Sequence, residues 1–197
     1  MKSFFRVVSF FVFALALPAH AGLILDQSYM SGTSATSAIN GQTFTVGVQG
    51  VLSKVKIEGN TMRNAYIDIY AVNNDTPVAF GFGSLASVKL EDGTFKDYEI
   101  DFSAFNISVE IGDMFAIVVH GDQSAVATGF NDFVPTYAGG ELYYWDDWDN
   151  KWVYNSTWGG GDMNFQTYVQ SVSVPEPSIL IIMMLGLIPL IRKINQN

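Results

Sequence analysis

Apolar and polar residues alternate along several short stretches between residues 43 and 169, and turn-forming residues separate the stretches. Val55 and Ile57 are interleaved with Lys54, Lys56 and Glu58, and Gly59-Asn60 follows. Ala65-Tyr66-Ile67-Asp68-Ile69-Tyr70 alternates in the same way, with Ile67 and Ile69 on the inward side, and residues 73–77 read as a turn. Residues 86–90 and 98–102 repeat the pattern on either side of Asp92-Gly93, a dipeptide that favours a tight hairpin. Residues 43–46, 107–109 and 165–169 supply further strands. A period of two sends successive side chains to opposite faces of a sheet, so these segments predict strands with one buried face.

Residues 114–119 break the alternation. Met114-Phe115-Ala116-Ile117-Val118-Val119 is apolar throughout, which predicts a central strand buried on both faces. No stretch between residues 22 and 173 sustains a period of 3.6. Short strands at regular spacing predict an all-β domain, and a jelly-roll-like β-sandwich is the expected architecture. Asp68, Glu99 and Asp101 fall at outward strand positions and read as a solvated face.

The two ends have a different pattern. Lys2 and Arg6 precede an apolar run over residues 7–17, Pro18 interrupts it, and Ala19-His20-Ala21 places small residues where a signal peptidase cleaves. Residues 1–21 therefore predict a signal helix removed before Gly22. At the other end, Pro175-Glu176-Pro177 introduces an apolar run over residues 179–191, closed by Arg192 and Lys193. At ~1.5 Å per residue this run is shorter than the ~30 Å hydrocarbon core, and it has no polar face. Positive charge on the distal side alone fits a hydrophobic helix whose end stays in the cytoplasm. The chain divides into a signal peptide (1–21), a β-sandwich body (22–173) and a tail (174–197).

Pro175, Glu176 and Pro177, the apolar run and the basic end resemble the PEP-CTERM sorting signal. That resemblance implies Sec-dependent export in a Gram-negative bacterium that makes exopolysaccharide. It implies transient anchoring in the inner membrane and processing by an exosortase, with Pro175, Glu176 and Pro177 as recognition residues and no catalytic role. The expected partners are signal peptidase, exosortase, the inner membrane and exopolysaccharide, and the expected destination is the cell surface or extracellular matrix. The body is similar, in the order of its motifs, to jelly-roll modules of bacterial surface and carbohydrate-associated proteins. The strand at residues 42–45, a hairpin at Leu52 and Val55, the strands at 67–70 and 115–118, the Gly139-Gly140 loop, Trp152 and residues 165–169 carry that resemblance.

Composition narrows the chemistry. The chain has a formal net charge of −9, and losing Lys2 and Arg6 with the signal makes the remainder more acidic. Such a surface repels phosphate backbones, so no nucleic-acid partner is expected. There is no cysteine, which removes disulfides, thiol nucleophiles and cysteine-based zinc sites. His120 is the one histidine outside the signal, so any Ser-His-Asp chemistry would have to run through it. No catalytic residue is assigned and no enzyme activity is expected. A glycan-active hydrolase is the remaining catalytic alternative, because carboxylates are plentiful.

One segment stands apart. Tyr143-Tyr144-Trp145-Asp146-Asp147-Trp148-Asp149-Asn150-Lys151-Trp152 is aromatic and acidic, and all four tryptophans fall between Trp145 and Trp158. Aromatic faces stack on the C–H faces of sugars, and carboxylates accept from their hydroxyls. Trp145, Asp147, Trp148, Asp149 and Trp152 are thus candidate glycan contacts. The alternative is that the rings pack, with Tyr143 and Trp145 on one side of a strand and Tyr144 on the other. Asp146, Asp147 and Asp149 also form a fragmentary calcium-ligand pattern without the spacing of a complete loop. No cofactor is expected otherwise.

Overall fold

The computed structural model describes residues 22–30, 34–60, 65–81, 83–90, 96–121, 126–130, 137–154 and 161–171. Residues 1–21 and 172–197, with Ala19, Ala21, Pro175, Glu176, Pro177, Arg192 and Lys193, lie outside the described residues, as do the two flanking helices expected there. Gly22–Val172 is one compact unit.

Within it the chain is all-β. The strands are β1 (Leu23–Tyr29), β2 (Ser34–Ala38), β3 (Asn40–Thr45), β4 (Gly50–Asn60), β5 (Ala65–Asn73), β6 (Thr76–Pro77) and β7 (Ser84–Leu90). They continue with β8 (Lys96–Asp101), β9 (Ile107–Val109), β10 (Met114–Gly121), β11 (Val126–Phe130), β12 (Leu142–Asp146), β13 (Lys151–Tyr154) and β14 (Phe165–Ser171). A 3-10 turn, Ser103–Phe105, links β8 to β9.

Two antiparallel sheets form. The first is built on β4, which pairs with β14 along one edge and with β9 and β8 along the other; β1 lies outside β14, and β11 and β2 extend the far end. The second runs β13-β12-β3-β10-β5, with β7 and β6 beyond β5. Alternation decides which residues meet between them. Val55 and Ile57 of β4, Tyr98 and Ile100 of β8, and Phe165 and Val169 of β14 face Phe44 of β3, Ile67 and Ile69 of β5 and Phe115, Ile117 and Val119 of β10 in one core. The all-β class is as expected, and the sheets stack as a sandwich.

The sheets differ in what their outer faces do. The outer face of the first is wet and charged: Lys54 pairs with Glu99 at 3.0 Å, and Lys56 pairs with Asp97. The outer face of the second is dry, as the apolar run in β10 requires. Ala116 and Val118 point away from the main core and pack with Tyr70, Tyr143 and Trp152 in a second cluster. Glycine makes the close approach possible, since a Cβ at Gly41 would sit 3.1 Å from the Trp152 ring.

Three local expectations change. Asp92-Gly93, which lies outside the described residues, does not join a hairpin pair: β7 pairs with β5 in the second sheet and β8 with β4 in the first. Leu52 and Val55 belong to one continuous strand, β4, not to two arms of a hairpin. Asp68 is buried at 5% exposure, because its outward face is covered rather than solvated.

Candidate functional site

The aromatic and acidic segment is a β-hairpin. β12 pairs with β3 on one side and β13 on the other, with Trp145 opposite Trp152 and Asp146 opposite Lys151. Asp146 builds the turn. Its Oδ1 accepts from the backbone N–H of Trp148 at 2.9 Å, an Asx turn that substitutes a carboxylate for a backbone carbonyl. Asn150 takes the left-handed conformation that closes the loop, with φ 50°. Lys151 Nζ reaches Asp149 Oδ2 at 2.7 Å.

This geometry separates the candidate contacts. Trp148 sits at the tip and is 94% exposed, with Asp147 and Asp149 exposed beside it. Trp152 is 9% exposed and packs edge-on against Trp145 at 5.3 Å, which is itself partly buried against the second cluster. Packing therefore describes Trp145 and Trp152, while Trp148 alone of the three presents a free ring. Asp146 and Asp149 are engaged with the turn and with Lys151. No group of three or more potential metal-ligating side chains converges among the described residues. Trp158 lies outside them.

Residues 74–81 close the dry face as a strap. Asn74 and Asp75, with φ 51° and 62°, make the two-residue reversal between β5 and β6. The strap then crosses the aromatic face, and aromatic donors and acceptors satisfy its backbone. Trp152 Nε1 donates to the Val78 carbonyl at 2.8 Å, Tyr143 Oη donates to Asp75 O at 2.9 Å, and Gly81 N–H donates to Tyr70 Oη at 3.2 Å. Phe80 inserts between His120 and the tryptophans, 4.8 Å from the imidazole and 5.7 Å from Trp145. Burial raises the phenols of Tyr70 and Tyr143 above their ordinary range. A hydrogen bond to Glu141 does most to push Tyr154 up to about 12. These hydroxyls stay protonated at neutral pH and serve the packing.

The pair Asp68–His120, across β5 and β10, did not emerge from the sequence as a pair. Asp68 Oδ2 lies 3.1 Å from His120 Nε2, and His120 Nδ1 lies 2.9 Å from the Gly121 carbonyl. A triad histidine presents one ring nitrogen to its acid and the other to a nucleophile. Here the second nitrogen faces backbone. The available signal was Ala116 and Val118: an apolar outward face on β10 implies a cover, and an acid on the same face of the adjacent strand is then buried.

Asp162 is fully buried and accepts from the Gln42 side chain at 3.2 Å and the Tyr137 N–H at 3.0 Å. Gln42 in turn accepts from the Met163 N–H at 2.8 Å, which anchors the approach to β14. Thr43 bridges to Glu141 through backbone and hydroxyl, and Gly140 lies so close that a Cβ would collide with the Thr43 carbonyl.

No protein-family model matches the sequence, and no curated protein matches it significantly. Among solved structures, the fold is similar to that of the cysteine protease and lectin-like domains of Cwp84, a surface layer associated protein of Clostridium difficile. The TM-score is 0.55 at 15% identity, over 76% of this chain and 36% of that one. A second structure, the clostridial cysteine protease Cwp84 after propeptide cleavage, gives a TM-score of 0.52 at 15% identity over 76% of this chain and 40% of that one. The chain thus spans well under half the length of the proteins it resembles, and at this identity the likeness concerns fold alone.

The division between Trp148 and Trp152 predicts opposite mutational outcomes. Trp148→Ala changes unfolding free energy by less than ~0.5 kcal/mol, as surface substitutions do. Trp152→Ala costs ~3–5 kcal/mol, because it opens a cavity and leaves the Val78 carbonyl without its donor. Urea denaturation of both variants measures the difference.

Proposed function

We propose that this chain is an exported, non-catalytic surface or extracellular-matrix protein, sorted through its tail by an exosortase and associated with exopolysaccharide. The observation that carries the reading is the tail: Pro175-Glu176-Pro177, the apolar run, then Arg192 and Lys193. The body supports it. β14, the last strand among the described residues, ends at Ser171, shortly before Pro175 in the sequence. In this reading signal peptidase cleaves before Gly22, the tail holds the domain at the inner membrane, and processing near Pro175–Pro177 delivers it outward. A sandwich without cysteine is stabilised outside the cell by its packed core rather than by disulfides. The likeness to a surface-layer-associated protein with a lectin-like domain agrees with a surface role. The lack of cysteine separates this chain from that protein's protease chemistry.

Intact mass of the mature protein from an exosortase-positive host tests the sorting. The expected species lacks residues 1–21 and the apolar tail, and deletion of residues 175–177 leaves the precursor in the inner membrane. Mature protein that retains residues 179–197, with the same fate after the deletion, contradicts it.

A second reading, a glycan-binding module, is favoured by Trp148. A fully exposed indole on a hydrogen-bonded tip, flanked by Asp147 and Asp149, offers a stacking face with hydroxyl acceptors at its rim. Titration with the host exopolysaccharide is expected to shift tryptophan fluorescence, and Trp148→Ala to abolish the shift without altering stability. An unchanged shift in Trp148→Ala excludes this ring as the contact.

A further inference from the structure

His120 is flanked by acceptors on both ring nitrogens. The Gly121 carbonyl can only accept, so Nδ1 carries a proton. Nε2 then faces Asp68 Oδ2 at 3.1 Å. Without a proton between them, a nitrogen lone pair would oppose a carboxylate in a nearly dry site. An imidazolium that donates from Nε2 to the carboxylate removes the conflict.

We propose that the Asp68 carboxylate holds His120 as an imidazolium at neutral pH, and that loss of the imidazolium proton at higher pH loosens the strap over the dry face. The surroundings favour retention. Asp68 is 5% exposed and its Oδ1 has no hydrogen-bond partner, so His120 is the cation in contact with this carboxylate among the described residues. On β5, Tyr66 stacks on the imidazole at 5.2 Å and 11°, and Tyr70 lies further along the same face. From β7, Lys89 Nζ stands over Tyr66, 5.8 Å from that ring. Ser87 and Val118, opposite Asp68 on β7 and β10, carry no charge. From the strap, Phe80 meets the imidazole edge-on at 4.8 Å. The ring therefore couples a protonation state to the seating of Phe80.

The sign follows from linkage. An unfolded histidine titrates near ~6.5. A folded pair that holds its proton to higher pH contributes stability fully present below ~6.5 and lost as pH rises through the folded midpoint. The domain is then more stable in mildly acidic than in mildly alkaline surroundings.

NMR of the imidazole signals of the full chain in detergent micelles, from pH 5 to 10, tests this, with His120 identified by its loss in His120→Gln. The expected midpoint lies above the unperturbed ~6.5. The melting temperature should fall across the same window, together with amide protection at Val78 and Gly81 after correction for intrinsic exchange. Asp68→Asn returns the midpoint to the unperturbed value or below. A wild-type midpoint at or below that value, or one unmoved in Asp68→Asn, overturns the proposal. Should Asp68→Asn fail to fold, His120→Gln decides: a flat profile of melting temperature against pH supports the pair, and an unchanged slope overturns it.

Discussion

The structure depends on keeping both faces of β10 dry. Phe115, Ile117 and Val119 are covered by the first sheet, which lies opposite. Ala116 and Val118 face the other way, where no further sheet among the described residues covers them. The chain solves this locally. The strap at residues 74–81 folds back from β5, and the aromatic hairpin β12–β13 brings Tyr143, Trp145, Trp152 and Tyr154 over the same surface. A strap laid on an apolar face would strand its backbone polar groups, at a cost of ~1–3 kcal/mol for each unsatisfied one. The indole N–H of Trp152 and the hydroxyls of Tyr143 and Tyr70 meet that need. Tryptophan and tyrosine suit the role because one side chain supplies both apolar area and a polar tip.

The same constraint assigns roles to residues whose types suggest chemistry. Trp145 and Trp152 resemble a sugar platform in sequence, but they close the dry face. Asp68 and His120 resemble two-thirds of a catalytic triad, but they sit under Phe80 with both imidazole nitrogens engaged. Asp162 resembles an acid of a hydrolase, but it holds Gln42 and the Tyr137 backbone in place. Among the described residues, the Trp148 ring at the hairpin tip and the charged outer face of the first sheet are not taken up by this packing.

Period-two alternation made the main core readable before any coordinates. Val55 and Ile57, Ile67 and Ile69, and Phe165 and Val169 face inward as their spacing requires, and the unbroken run at residues 114–119 announced a strand buried on both sides. Alternation is blind to whether the opposite face is covered by something distant in sequence. That is why Asp68 read as solvated, although it lies beside the strand that demanded a cover. Local turn chemistry is similarly blind to partnership, so Asp92-Gly93 suggested a hairpin between strands that belong to different sheets. β1 escaped notice because Leu23, Ile24 and Leu25 follow one another without alternation, at an edge where each remains exposed. The parity of Tyr143 and Trp145 was legible; the face they share, away from the main core, was not.

The central claim is that a second, aromatic core closes the outer face of the second sheet and leaves Trp148 outside it. Oxidative footprinting of the folded chain, with each tryptophan read by mass spectrometry, tests this most directly. The account predicts that Trp148 is modified as fast as a free indole, whereas Trp152 is protected until the domain unfolds. Equal rates of modification at Trp148 and Trp152 under native conditions would contradict it.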